Sequence, residues 1–492
     1  MANAHAATAD ATTIKRNYAA GSWRAAPDAT AEIRNPSTGA VLAHAPVSST
    51  QETGSVVEAA AAAAADWRAT SPLERTRCVF RLRDVLDHHR EELAGIVSED
   101  MGKTYADALG EVGRGIESVE MACGAPNLLK GETLEGVAKG LDVELVRQPV
   151  GVVAAITPFN FPAMIPLWFL PFAVVCGNTF VLKPSEQDPL ASCRIFELIH
   201  EHEIFPPGVV GLVHGAHDAV NALLDHPLVD AVSFVGSVAT ADHVYRRAAA
   251  SGKRVQALGG AKNAIVVMPD AEPELLARGV VSSAFGAAGQ RCLAGSIAVL
   301  VGEPPEQDAA RDRIVAAARE LRTGHATAPD VDVGPLVGPA ARERLEQEIQ
   351  NAVDDGAELL LDGRGDGGEG GAELGPTILA CPRYATRVVE EELFGPVLAL
   401  VRSPTLDDAI ERLNRSRYGN ASMIYTTSGA TARAFRYSIE AGMLGVNVGV
   451  AAPVAWFPFA GWKDSFNGDL HANGTDAIDF YTRKKVVTSR WR

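Results

Sequence analysis

Apolar positions recur with a helical period early in the chain and in short β-branched bursts later. Residues 53–67 are alanine-rich and predict a helix. Over 72–100, Leu73, Cys78, Val79, Leu82, Val85, Leu86, Leu93, Ile96 and Val97 fall on one helical face. Residues 107–129 predict a further helix, and 33–45 an extended start. From Val150 the texture changes. Strand-like runs at 150–156, 179–182, 209–213, 231–234 and 264–268 alternate with helical stretches at 162–176, 189–202, 216–224 and 239–250. That alternation predicts an α/β fold with a doubly wound parallel sheet covered by helices. A nucleotide in such a fold sits at the carboxyl ends of the strands. A second α/β stretch follows over 258–443, with strand-like segments at 297–301, 359–361, 397–401 and 423–425. In the tail, 477–491, Ile478, Phe480 and Thr482 alternate and predict a strand that pairs within the chain or with a second subunit.

The chain of 492 residues is too long for one ordinary core. A formal net charge of −16 argues against nucleic acid as a partner. No apolar run reaches the length of a membrane span, and 162–176 is better explained as a buried helix with flanking turns. The first 17 residues lack an apolar signal core and are expected to be a flexible lead-in to a cytoplasmic protein. The glycine-rich stretch 363–371 lacks the context of a phosphate-binding turn and is expected to be a surface loop. The six cysteines are scattered, with no CxxC pair and no metal-ligand spacing, so neither disulfides nor a metal site is expected.

One cysteine has chemistry around it. Gly289-Gln290-Arg291-Cys292 follows a run of small residues. A thiol at the end of a helix beside Arg291 has reasons to be accessible and thiolate-prone. A thiolate attacks an aldehyde carbonyl to form a thiohemiacetal.

Further motifs stand around it in a definite order. They are Thr157-Pro158-Phe159-Asn160-Phe161-Pro162, Lys183-Pro184-Ser185-Glu186, Phe234-Val235-Gly236-Ser237 and Glu392-Leu393-Phe394-Gly395-Pro396-Val397. With Gly289 to Cys292 they resemble the aldehyde dehydrogenase superfamily from Ile14 to Trp491. The resemblance implies two doubly wound α/β domains plus a small β bridging element that serves oligomerisation. Residues 1–130 and 150–257 would bind NAD, 258–443 would carry the chemistry, and 131–149 with 477–492 would supply the bridging strands of a homodimer or homotetramer. It implies Cys292 as nucleophile, with the Asn160 amide and the Cys292 N–H stabilising the oxyanion. Thr157 and Phe159 would contact the cofactor. Lys183 and Glu186 would bind its adenosine ribose, a carboxylate there favouring NAD over a 2′-phosphorylated form. Gly236 and Ser237 would open a helix facing the pyrophosphate, and Glu392 and Phe394 would position the nicotinamide end. A non-catalytic protein on the same fold would be expected to lack Cys292 or Asn160, and both are present.

The chain also departs from the common pattern. Hydrolytic members resemble Glu-Leu-Gly-Gly-Lys before the cysteine, whereas this chain reads Gln256-Ala257-Leu258-Gly259-Gly260-Ala261-Lys262-Asn263. Neither Ala257 nor Leu258 can take a proton from water. Glu272 and Glu274 are the nearest substitutes. Loss of that base is similar to the CoA-acylating branch typified by methylmalonate-semialdehyde dehydrogenase. In that branch CoA collects the acyl group from an oxidised 3-oxo acid, such as methylmalonate or malonate semialdehyde, after decarboxylation. The resemblance implies that Arg114 and Arg291 hold the substrate carboxylate. The rival within the family is a non-acylating enzyme that hydrolyses its thioester to a free acid. Ala241 is expected to crowd the pyrophosphate, and Trp456 to line a larger substrate space.

Overall fold

The computed structural model describes residues 12–25 and 28–491. The expected lead-in falls partly on residues 1–11, which lie outside the described residues. Its remainder is tied down: Ile14 bridges to His44, and the Asn17 amide donates to Ser48 Oγ at 2.8 Å.

Helix Thr50–Ala69 begins where Ser49 and Glu52 cap each other reciprocally. The next amphipathic segment divides in two, Pro72–His88 and Arg90–Met101, with the break at His89. The helix expected from 107 to 129 divides likewise into Tyr105–Cys123 and Ala125–Leu128, just before Pro126. Helix Met164–Val175 is buried along its whole length.

Five parallel strands form the heart of the first sheet. Val152–Ile156 lies between Thr179–Lys183 and Val229–Val235, with Val210–Leu212 and Arg254–Leu258 outside them. The chain first builds outward in one direction from Val152–Ile156 and then returns to build on its other side. A topological switch point therefore lies between Val152–Ile156 and Val229–Val235, where diverging connections leave a crevice at the carboxyl ends. Three short strands, Tyr18–Ala19, Ser22–Trp23 and Phe466–Asn467, extend this sheet at its edges.

Residues 259–262 then cross to the second sheet. Its six parallel strands run in the order Thr377–Ala380, Val397–Ser403, Gly295–Val301, Asn263–Val267, Ala421–Tyr425 and Met443–Val446, with Glu358–Leu361 antiparallel at one edge. The carboxyl end of the first sheet thus faces the amino end of the second, and the segment carrying Cys292 lies just before Gly295. The 363–371 stretch forms turns on the periphery, and all six cysteines are free.

A third, antiparallel sheet joins Glu132–Ala138, Leu141–Pro149 and Thr482–Arg490. The tail differs from expectation in its first half. Gly474–Phe480 is a helix whose Ile478 and Phe480 dock into the core, and the strand begins only at Thr482. Asn473 and Gly474 both take positive φ and turn the chain into that helix. The strand pairs within the chain, register Thr482↔Pro149 to Arg490↔Leu141.

Candidate active site

Two cavities meet at one side chain. A cleft of about 670 Å³ at the switch point is lined by Thr157, Phe159, Asn160, Lys183, Glu186, Gly236, Ser237, Cys292, Glu392 and Phe394. A second cavity of about 310 Å³ is lined by Arg114, Arg291 and Cys292 together with Phe161, Met164, Trp168 and Phe459. The residues singled out in the sequence therefore fall into two groups that share Cys292.

The loop carrying Cys292 is held under constraint. Ala287 and Ala288 take left-handed φ of 51° and 52° in the turn that ends helix Pro273–Phe285. Asp107 accepts a hydrogen bond from Ala287 N at 2.9 Å. The Cys292 carbonyl accepts from the amides of Asn263 and Asn420, each at 2.8 Å. Burial pushes the thiol up to about 12 and Glu392 pushes the same way, against its own backbone N–H, Arg291 and Lys103. The expected thiolate-prone cysteine is thus corrected. Arg291 donates through Nη2 to the carbonyls of Ser282 and Ser283, and its charge does not offset the desolvation of the sulfur.

Asn160 is buried, and its amide donates to the Gln290 carbonyl at 3.0 Å. An amide has two N–H donors. Among the described residues the second has no hydrogen-bond partner.

On the cleft side, Lys183 Nζ and Glu186 Oε2 pair at 2.8 Å. Burial raises Glu186, but the charge and hydrogen bond of Lys183 outweigh it and hold the carboxylate below its usual range. Ser237 caps helix Val238–Ala250 by accepting from Thr240 N. The rings of Phe159 and Phe394 meet edge to face at 5.7 Å. Glu392 accepts from Ala261 N at 2.9 Å, and burial raises it to about 7 against that bond, Lys262 and Arg344. Among the described residues Thr157 Oγ1 and Gln290 Nε2 are buried without a partner, and both residues line the cleft. Orphaned donors and a helix start that opens on the cleft at Gly236 and Ser237 fit a dinucleotide.

On the other side, Arg114 donates to Glu117 Oε2 at 2.6 Å and to the Pro453 carbonyl. Two expectations fail here. Trp456 does not line this cavity: it is about half exposed, and the neighbouring Ala455 and Pro453 line it instead. Ala241 does not reach the cleft: its methyl is buried in the core beneath the helix. The candidate substitutes for the missing base stand away from the site. Ala257 and Leu258 are buried, Glu272 caps helix Pro273–Phe285, and neither Glu272 nor Glu274 lines either cavity. A side chain at Gly260 would meet Glu392 Oε2 at 2.3 Å. Among the described residues no group of three His, Cys, Asp or Glu is placed to hold a metal.

Sequence reasoning missed Lys103, Glu111, Glu117, Gln290 and Arg344, which all line one cavity or the other. Lys103 and Glu111 are buried charges within a helical region, and only their pairing across elements marks them out.

With this geometry in place, the chain's relations are clear. A model of the aldehyde dehydrogenase family matches residues 23–487, and the chain belongs to that family. It is 49% identical over 483 residues to malonate-semialdehyde dehydrogenase 1 of Geobacillus kaustophilus (strain HTA426), covering 98% of each chain. Its structure superposes with a TM-score of 0.94 on methylmalonate-semialdehyde dehydrogenase from Oceanimonas doudoroffii, at 42% identity, covering 98% of this chain and 99% of that one. A protein of Sinorhizobium meliloti 1021 assigned as a methylmalonate-semialdehyde dehydrogenase, solved in complex with NAD, gives a TM-score of 0.95 at 40% identity, covering 98% of each chain.

Proposed function

We propose that this enzyme oxidises malonate or methylmalonate semialdehyde with NAD, forms a thioester on Cys292, and passes the decarboxylated acyl group to CoA. The observation that carries this reading is the meeting of two cavities at Cys292, one fitted to a dinucleotide and one containing two arginines.

Arg114 and Arg291 would receive the substrate carboxylate and set the aldehyde carbon against the sulfur. Cys292 adds to that carbon, and the free Asn160 N–H with the Cys292 N–H takes up the oxyanion. Bound NAD supplies the hydride acceptor. Thr157, Lys183, Glu186, Gly236 and Ser237 hold its adenosine and pyrophosphate, and Phe159, Glu392 and Phe394 its nicotinamide end. Loss of hydride and a proton leaves a thioester, whose carbonyl accepts the electron pair when the β-carboxylate departs as carbon dioxide, and the enolate so formed takes up a proton at carbon. No carboxylate stands at Ala257 or Leu258 to activate water, so a thiol, CoA, resolves the acyl-enzyme by exchange. Malonate semialdehyde would give acetyl-CoA and methylmalonate semialdehyde propionyl-CoA. The relatives' names support this substrate class.

The first sheet's portion of the chain is the NAD-binding domain on this reading, and the second sheet's the catalytic domain. The third sheet bridges subunits of a homodimer or homotetramer. No helix among the described residues is long and apolar enough to cross a membrane, and the working location is the cytoplasm.

A second reading rests on Glu392. A carboxyl near 7 in the same cleft as Cys292 is suited to act as a base, which favours hydrolysis. NADH formation from both semialdehydes, with and without CoA and with products identified by mass, separates the two. CoA-dependent release of acetyl-CoA or propionyl-CoA is expected. Fast CoA-independent release of a free acid would overturn the acylating reading.

A further inference from the structure

Helix Met164–Val175 starts at Ala163 with no side-chain cap of its own. Its first amides are nevertheless satisfied from another element. Glu111, on helix Tyr105–Cys123, accepts from Ala163 N at 2.9 Å and from Met164 N at 3.1 Å through a single oxygen, Oε1. Its other oxygen pairs with Lys103 Nζ, and both side chains of the pair are about 1% exposed or less. Lys103 in turn lies 3.8 Å from the centre of the Phe161 ring. Its own backbone is anchored where its carbonyl accepts from Ser98 Oγ at 2.7 Å. Positions 161, 163 and 164, directly after Asn160, are therefore gripped by one buried ion pair.

A buried pair is costly to desolvate and persists only with good geometry and additional hydrogen bonds. Here those additional bonds go to the turn that carries the oxyanion donor. We propose that Lys103 and Glu111 are positioning residues that set the Asn160 amide at the oxyanion site. The inference rests on the proposed role of Asn160 in aldehyde oxidation, but not on whether CoA or water resolves the thioester. Neither residue takes or gives a proton in this scheme. Glu111 fixes the turn's amides, Lys103 fixes Glu111 and Phe161, and Asn160 alone meets the developing charge. Small displacements of such a donor cost rate more than binding.

The test is a double-mutant cycle on the first NADH burst, using any aldehyde the enzyme oxidises. Glu111→Gln keeps an acceptor for the two amides but loses the ion pair, and Glu111→Ala loses both. The burst is expected to slow modestly in Glu111→Gln and by about 10- to 100-fold in Glu111→Ala, with the Michaelis constant within about threefold of wild type. In an Asn160→Ala background neither substitution should slow the burst further, because the group through which they act is gone. Equal slowing in both backgrounds would show a role that does not pass through Asn160 and would overturn the proposal. Hydrogen exchange gives an arm that needs no turnover. Glu111→Ala should strip protection from the Ala163 and Met164 amides while strand Val152–Ile156 stays protected. Unchanged protection at 163–164 would overturn the proposal as well. Absence of NADH formation in the wild type would instead refute the oxidation reading itself, including the Asn160 role on which this inference stands.

Discussion

Around Cys292, Arg291 and Lys103 pull the thiol towards its anion, while burial and Glu392 push it towards the neutral form, and burial prevails at about 12. Alkylation of the enzyme without cofactor by iodoacetamide should therefore speed up about tenfold per pH unit from pH 6 to 10, without a plateau. A plateau near neutrality would show that Arg291 governs the sulfur after all. Arg114 offers a second test. Its guanidinium is paired with Glu117 in the smaller cavity, so Arg114→Ala removes a cation and leaves a carboxylate unpaired there. The Michaelis constant for carboxylated aldehydes should rise at least about tenfold, and that for propanal should stay within about threefold. An equal rise for both would make Arg114 structural. Cys292, Asn160 and Arg114 could be singled out in the sequence because each stands in a motif whose spacing is local, and all three line the two cavities. The direction of the Arg291 guanidinium was not, because it is set by which carbonyls of the preceding helix, Ser282 and Ser283, lie within reach.

Among elements, the turn 286–292 is fixed by contact with the segment 392–397 that carries Glu392 and Phe394. Gly289 has φ +67°, and a Cβ there would lie 2.2 Å from the Gly395 carbonyl oxygen. Gly289→Ala should lower NADH formation by about 100-fold or more, since a shift of about 1 Å at a nucleophile has that scale of effect. Far-UV circular dichroism should stay unchanged, and wild-type activity in this variant would refute the close-packing argument. Many strands of both sheets were legible because runs such as 150–156 and 297–301 are apolar on both faces, as parallel strands between helices must be, but Arg254–Leu258, Thr377–Ala380 and Met443–Val446 were not marked out. The break at His89 was not legible, because the apolar spacing continues across it. The helix Gly474–Phe480 was mistaken for strand because Ile478 and Phe480 fit a period of two in so short a stretch. What decides the matter is the positive φ at Asn473 and Gly474 and the docking of those side chains on the core.

At the scale of the whole molecule, the third sheet is an anomaly. On its strands Leu134 is 65% exposed and Val486 64%, and Trp491, just past the last strand, is 66% exposed. Strand Thr482–Arg490 has one neighbour, Leu141–Pro149, and among the described residues its other edge is unpaired. A long exposed edge with apolar side chains invites another strand. Its basic residues Arg483, Lys484, Lys485 and Arg490 lie on a chain whose net charge is −16, so a second copy offers an acidic surface to meet them. Association through this sheet would combine apolar burial with attraction between unlike patches. Wild-type enzyme should run as a dimer or larger assembly by light scattering, and Val486→Glu should shift it towards monomer by adding charge to both faces of a self-complementary contact. Because Val486 lines neither cavity, the monomer should retain an NADH burst of wild-type rate. A variant that remains assembled would place the interface elsewhere, and a monomer without the burst would mean that assembly completes the site.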